Sequence, residues 1–437
     1  MSLGGFIRRV GYRIKDCVKN PKGTRIHEQW REMERVLSDY STGWPCVEKA
    51  LEECLDYAVG HSSFYRSFQG VDKLSLSDFP VLNKMDFIQK NAEIRNPEYP
   101  DSVCHFTSTS GSTGTPFVIA QDRRKRNRVL AELQLFGEFA GYPSHEKMLF
   151  IRAFDNRSQW SKFWSNVWQV GALSLSEEKL ERIYHAQADG VCALAAYAST
   201  LDQLSTYLLK RGLPGSKKVR TVLSGSEFLP HTVRESISKA WPCAMVCSRY
   251  SNMENGTLGQ ECGEEGVFRL CWASYYFEIL KFDSDEPAEK GELGRIVVTD
   301  LYNRALPMIR YDTGDVGRLE KGPDGWPVLV ELAGRRMDLI YDTKGRPLSP
   351  HVGTYGIMCE GDTGVRQWQF VQEGERQYRV LFSSDHPEES RKALEGKIGL
   401  YRRMLGEDAE VAFELVDEIP VLASGKRKMI VQKWKKL

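Results

Sequence analysis

Long apolar runs are missing from this 437-residue chain: none approaches the roughly 20 residues that span a bilayer. The basic start lacks the continuous apolar core of a secretory leader. Neither sign of charge is in excess. Sixty Lys and Arg stand against 59 Asp and Glu, and a net charge of +1 leaves no electrostatic footprint for nucleic acid as a partner. A disulfide framework is absent too, since ten cysteines are scattered along the whole length. That usage fits reduced thiols and predicts a cytoplasmic protein. There is no internal repeat, no low-complexity segment and no G-x-x-x-x-G-K-[ST] phosphate loop.

What is present is an ordinary globular composition, 41% hydrophobic and 27% charged, enough for a large core. Trp30, Met33, Val36 and Leu37, then Val47, Leu51 and Leu55, follow a helical period within residues 27–68. A further helix is expected near Lys84–Lys90. From about residue 100, short apolar runs (147–152, 190–194, 219–224, 244–249) alternate with helical stretches (201–211, 232–240). Such alternation predicts a mostly parallel sheet covered on both faces. After residue 260 the texture is β-rich, and beyond about 333 a smaller α+β unit follows. The fold class expected is therefore α/β: a large domain of mixed sheets covered by helices, with a β-rich subdomain, plus a small mobile α+β domain. The boundary is set at 1–333 and 334–437.

Residues 107–117, Thr-Ser-Thr-Ser-Gly-Ser-Thr-Gly-Thr-Pro-Phe, pack no core. Two glycines among hydroxyls let successive backbone N–H groups converge on one anion. The helix expected from Arg123 to Gly137 would turn its positive end towards the same place. A phosphate cradle, most simply for a nucleotide triphosphate, explains the stretch better than a flexible linker does.

Further segments follow in order: Ser-Gly-Ser-Glu (224–227), Tyr250-Ser-Asn-Met-Glu254, Arg310-Tyr-Asp-Thr-Gly-Asp315, Gly334-Arg335 and Ser424-Gly-Lys426. In order and spacing these resemble the adenylate-forming enzymes. The resemblance is to the branch of phenylacetate–CoA ligase, capsular polysaccharide biosynthesis proteins and coenzyme F390 synthetase-like proteins. It implies that Ser110, Gly111, Ser112, Thr113, Gly114 and Thr115 hold the β- and γ-phosphates of ATP. It implies that Gly225, Ser226 and Glu227 border the adenine, on which Tyr250 stacks. Glu254 would help hold Mg²⁺, Asp315 would bind the ribose hydroxyls and Arg335 would lie near ribose and phosphate. Lys426 would reach the site during adenylation. The chain departs from the usual pattern at Phe117, Ser251, Met253 and Met337.

The implied activity is ATP-dependent activation of a small carboxylic acid as acyl-adenylate. A second step passes the acyl group to coenzyme A or, as in capsule-type proteins of surface polysaccharide biosynthesis, to a carrier-protein thiol or a sugar amine. The alternatives are transfer of AMP to a hydroxyl and a nucleotide-binding scaffold without catalysis. The acyl pocket is expected around 150–160, Tyr197 and 254–258, with Arg152 and Arg157 hinting at a polar acid. Cys243, Cys247, Cys262 and Cys271 have poor spacing for zinc and read as buried, inert thiols. Phe6, Val10, Ile14 and Val18 recur every four residues among Arg8, Arg9, Arg13, Lys15 and Lys19. That stretch, within residues 1–20, either docks on its own domain or lies on an anionic membrane surface. Oligomeric state is open.

Overall fold

The computed structural model describes residues 2–68, 73–108, 117–152, 165–171, 175–335, 340–348, 364–419 and 429–434. Two compact units divide the chain. The first comprises 1–229, 234–313 and 317–331, and the second 230–233, 314–316 and 332–437.

In the first unit the helical period near the start becomes helices Ile26–Ser38 and Tyr40–His61. Asp39 caps the second by accepting from Thr42 N at 3.2 Å. Gly43 lets the two helices meet: a Cβ there would lie 2.0 Å from Val36 O. The short helix Lys84–Gln89 starts at Asn83, whose side chain accepts from Met85 N and Asp86 N.

The main sheet has eleven strands. In chain order these are β3 (Lys147–Arg152), β4 (Val167–Gly171), β5 (Val191–Ala196), β6 (Thr221–Gly225) and β7 (Met245–Asn252). Then come β8 (Gly256–Glu261), β9 (Phe268–Leu270), β10 (Tyr275–Leu280), β11 (Gly294–Asp300), β12 (Tyr311–Lys321) and β13 (Pro327–Arg335). Their spatial order is β10-β11-β12-β13-β9-β8-β7-β6-β5-β3-β4. The expectation of a mostly parallel sheet holds for one half only. Strands β4, β3, β5, β6 and β7 are parallel neighbours. Helices Glu177–Ala188, Ala198–Lys210 and His231–Ala240 form crossovers between them. All six residues of β5 are buried, as in a strand covered on both faces. From β7 onward the pairing turns antiparallel. Short hairpins replace helical crossovers there, because the sequence offers turn residues and no helix-length spacer.

Two further strands, β1 (His105–Ser108) and β2 (Val118–Gln121), form a separate antiparallel hairpin. Strand β2 thus separates the Ser/Gly stretch from the helix expected after it. The helix Arg123–Phe139 has its N-terminus filled by Asp122, whose carboxylate accepts from Lys125 N at 3.0 Å and Arg304 N at 2.7 Å. Its positive end is therefore already neutralised by its own cap. Phe117 and Ile119 join Leu55, Tyr65, Phe79, Phe87, Met308 and Tyr311 in one buried cluster.

In the second unit, β14 (Ile340–Tyr341) pairs with β15 (Pro347–Leu348). A four-stranded sheet follows in the order β18-β17-β16-β19, from β16 (Val365–Gln372), β17 (Gln377–Ser384), β18 (Glu410–Leu415) and β19 (Ile430–Gln432). Helices Pro387–Glu395 and Ile398–Leu405 contribute Leu394, Tyr401 and Leu405 to a core shared with Trp368, Phe370, Val380 and Phe382. Gln372 is buried there. Its amide imitates a strand, accepting from Tyr341 N at 2.8 Å and donating to Tyr341 O at 3.1 Å. The α/β plus small α+β architecture is the one the sequence pattern predicts.

Candidate active site

The turn between β7 and β8 carries Glu254. Asn252 builds it: its side-chain oxygen accepts from Asn255 N at 2.7 Å. Gly256 closes it with φ +132°, where a Cβ would lie 2.6 Å from Glu132 Oε2 and 2.8 Å from the Tyr275 hydroxyl. A buried polar network holds the turn from below. Tyr275 Oη lies 2.7 Å from Asn255 O and 2.9 Å from Glu132 Oε1, and accepts from Lys125 Nζ at 2.9 Å. Glu132 Oε2 accepts from Thr257 N at 3.1 Å. Lys125 Nζ sits 2.7 Å from Asp300 Oδ2, with both side chains fully buried. Burial pushes the Glu132 carboxyl up, against the pull of Lys125 and Arg128. Burial pushes the Tyr275 phenol well up as well, helped by the charges of Glu132 and Asp300.

Glu254 is 8% exposed. Its Oε1 accepts from the Tyr311 hydroxyl at 3.3 Å. The other oxygen has no protein partner among the described residues, so the carboxylate keeps coordinating capacity for a hard cation. The entrance of the Ser/Gly segment meets this turn directly, and its exit packs on Tyr311, the partner of Glu254. At the entrance, Thr107 Oγ1 donates to Met253 O at 3.2 Å. Ser108 then pairs with Val118, which closes the hairpin. At the exit, Phe117 is buried with its ring centroid 6.3 Å from that of Tyr311. Ser110, Gly111, Ser112, Thr113, Gly114 and Thr115 themselves lie outside the described residues.

The carboxyl ends of β6 and β7 lie side by side, with Gly225 opposite Arg249. Tyr250 follows and is buried. Ser226 has φ +66° and is exposed. Space is open over Gly225, where an added Cβ would meet nothing within 4 Å. Two polar atoms beside it, Ser224 Oγ and Glu227 Oε1, are buried without a hydrogen-bond partner among the described residues. Orphaned atoms beside open space suit a polar ligand such as a purine or ribose. Glu227 Oε2 is already engaged: it accepts from Ser199 N and Ser199 Oγ, each at 2.9 Å, at the start of helix Ala198–Lys210.

Asp315 lies half-buried on β12, just after Gly314 at φ +74°. The preceding residues of that motif are structural. Arg310, at φ +48°, forks onto Glu278 at 3.1 and 3.0 Å and donates to Phe79 O at 2.9 Å. Asp312 pairs with Arg295 at 3.0 Å. Arg335 ends β13, and its side chain is outside the described set, as are Met337, Arg157 and Lys426. Arg152 is exposed, with its guanidinium 5.0 Å from the Phe150 ring. Tyr197 is half-buried and precedes helix Ala198–Lys210.

Among the described residues no group of three or more His, Cys, Asp or Glu is arranged to hold a metal. Cys247 and Cys271 are buried, and burial pushes their thiols up to about 12; that of Cys262 rises to about 11. Cys243 is exposed.

Residues 352–433 match the family described as the CapK C-terminal domain. Over 443 aligned residues the chain is 22% identical to Protein CapK of Staphylococcus aureus, with 94% of each chain covered. In sequence the chain is thus similar to CapK and, as follows, to phenylacetate–CoA ligases. A phenylacetate–coenzyme A ligase of Thermus thermophilus is 23% identical over 62% of this chain and 64% of its own. Among solved structures, 2-hydroxyisobutyryl-CoA ligase in the postadenylation state matches with TM-score 0.70 at 18% identity, over 90% of both chains. MatB from Rhodopseudomonas palustris, with ATP bound, matches with TM-score 0.53 at 16% identity, over 74% of this chain and 66% of that one. The two structural likenesses show a shared fold.

Sequence reasoning missed Thr107, Tyr311, Tyr275, Glu132 and Lys125. Thr107 and Tyr311 lie inside quoted motifs, so proximity to the motif was their only signal. The others converge from a helix and a strand far apart in the chain and leave no local pattern.

Proposed function

We propose that this chain is an ATP-dependent acid–thiol ligase that works through an acyl-adenylate. One carboxylate oxygen of the acid attacks the α-phosphorus of ATP. The bond from that phosphorus to the bridging oxygen breaks, and pyrophosphate leaves. A thiolate then attacks the acyl carbon, and AMP leaves with the bonding electrons. The observation that carries the reading is the convergence of Glu254, Tyr311 and both ends of the Ser/Gly hairpin.

In this scheme Ser110 to Thr115 cradle the β- and γ-phosphates, and Gly225, Ser226 and Glu227 flank the base beside Tyr250. Asp315 holds the ribose and Arg335 lies near it. Glu254, with one oxygen uncommitted, fits Mg²⁺. The cation would screen charge on the phosphates, a role the loop itself cannot fill because a buried Phe117 stands where a lysine often follows the proline. Lys426 approaches from the 334–437 domain and stabilises charge at the α-phosphorus. Coenzyme A is the first acceptor to test, and a carrier-protein thiol and a sugar amine are the others. Support comes from the relatives, which are named as coenzyme A ligases or as CapK.

The test is pyrophosphate release from MgATP across pools of aryl, fatty, amino and hydroxy acids, with coenzyme A present or absent. Acid-dependent release that Lys426→Ala and Glu254→Gln each cut by about 100-fold or more supports the scheme. AMP appearing on a hydroxyl acceptor with no thioester would replace it with AMP transfer. ATP binding without release in any pool would leave a non-catalytic scaffold.

A further inference from the structure

Helices of water-soluble domains normally dock by their apolar face. The helix Leu3–Lys19 does the reverse. Its polar side is the one packed on the first unit. Ser2 bonds Glu146 through its backbone nitrogen and through its hydroxyl, the latter at 2.9 Å. Arg9 pairs with Glu138 at 3.7 Å and lies 5.8 Å from the Trp30 ring centroid. The Tyr12 ring sits 4.7 Å from that of His145. Asp16 accepts from Ile26 N at 3.0 Å, His27 N at 3.1 Å and Asn20 Nδ2 at 2.8 Å. Gly5 is buried against Glu146, where an added Cβ would lie 2.6 Å from Oε1.

The outward side is correspondingly apolar. Leu3, Phe6, Ile7, Val10, Ile14 and Val18 are between 40% and 81% exposed. At 3.6 residues per turn they form one continuous stripe about a third of the way round the helix. Cations border it: Arg8 and Lys15 on one flank and Arg13 on the other, with Lys19 and Lys22 at its end. Their aliphatic stems can lie along the stripe with the charges beside it.

Charge is segregated to match. Residues 1–25 hold seven Lys and Arg and one acid, Asp16, which is buried in the dock. The remaining 412 residues carry 53 Lys and Arg against 58 Asp and Glu. A chain of near-zero net charge thus presents a helix whose exposed hydrophobes are flanked by its own cations and by no exposed acid of its own. No described helix is long and apolar enough to cross a membrane.

We infer that this helix lies in the surface of an anionic lipid bilayer and holds the first unit against it. The stripe enters the acyl boundary, and the flanking cations meet lipid phosphates. The polar dock fixes the helix to its domain, so the stripe is presented already formed.

Flotation of the full chain with vesicles of phosphatidylcholine alone, or with about one-third phosphatidylglycerol, tests this. Binding is expected on the anionic vesicles, weakening as salt rises from about 0.1 to 0.5 M. Ile7→Ser/Ile14→Ser should weaken it by about tenfold or more while the melting temperature stays put, because both side chains are exposed. Lys15→Glu/Lys19→Glu should abolish the preference for anionic lipid. Equal flotation of the Ile7→Ser/Ile14→Ser variant would overturn the inference. So would the absence of flotation with either vesicle. A dimer in sedimentation that the same variant disperses, with no vesicle binding, would assign the stripe to a second copy of the chain instead.

Discussion

Tyr311 donates its hydroxyl to Glu254 at 3.3 Å, and the same ring packs against Phe117 at the exit of the Ser/Gly segment. One side chain thus touches both parts of the proposed phosphate site. Tyr311→Phe keeps the packing with Phe87 and Phe117 and removes only the hydrogen bond. Acid-dependent pyrophosphate release should fall by about tenfold, the value of a hydrogen bond to a charged group. Tyr311→Ala should also destabilise the first unit by about 3–5 kcal/mol, since it empties a fully packed position. Denaturant titration beside the pyrophosphate assay separates the two effects.

Lys125 and Asp300 are both fully buried and 2.7 Å apart. Removing one partner strands the other charge away from water. Lys125→Met should therefore cost about 3–5 kcal/mol in chemical denaturation, and Lys125→Met/Asp300→Leu appreciably less than the single change. A double variant as unstable as the single one would mean the pair is not the reason.

Gly256 has φ +132°, and any side chain would collide with Glu132 and Tyr275. Gly256→Ala should lower the stability of the first unit by about 2 kcal/mol or more through strain and displaced network atoms. Because Glu254 sits two residues earlier, the KM for MgATP should rise even at temperatures where the variant is fully folded.

The dock of helix Leu3–Lys19 should loosen in acid. Burial alone would push the Asp16 carboxyl up, but hydrogen bonds from Asn20, from the His27 side chain and from the His27 and Ile26 backbone outweigh it and hold it below its ordinary value. A carboxyl depressed by folding stabilises fully above its unfolded pKa, near 4, and loses that contribution as pH falls through the lower folded value. Hydrogen exchange of residues 3–19 should accelerate, relative to intrinsic rates, as pH drops below about 4. Asp16→Asn should remove that pH dependence and leave the segment less protected at pH 7.

The helices and long strands were legible because a period of 3.6 survives in 26–38 and an unbroken apolar run marks 191–196. The antiparallel half of the sheet was read as β but not paired, since β9 meets β13 across some 60 residues and no local pattern announces that. Strands β1 and β2 are four residues each and half-exposed, too short to show alternation, so the hairpin that carries the Ser/Gly tip was invisible. Chemistry-bearing residues such as Glu254 and Asp315 were legible through motif order. Their supports were not: Lys125, Glu132 and Tyr275 look like surface-helix and core-strand residues until the chain folds.

The bridge between Leu82 and Tyr311 has a consequence for synthesis. Some 230 residues separate the two, and a ribosome adding roughly 5–20 residues per second needs more than ten seconds to pass from one to the other. Until residue 311 emerges, Phe87 and Phe117 lack the aromatic neighbour that completes their cluster, and Glu254 lacks its hydroxyl partner. The end of the sheet that carries Glu254 is therefore assembled late on the ribosome. A nascent chain arrested short of residue 311 should hold the parallel strands and still expose the aromatic residues around Phe117 to chaperones.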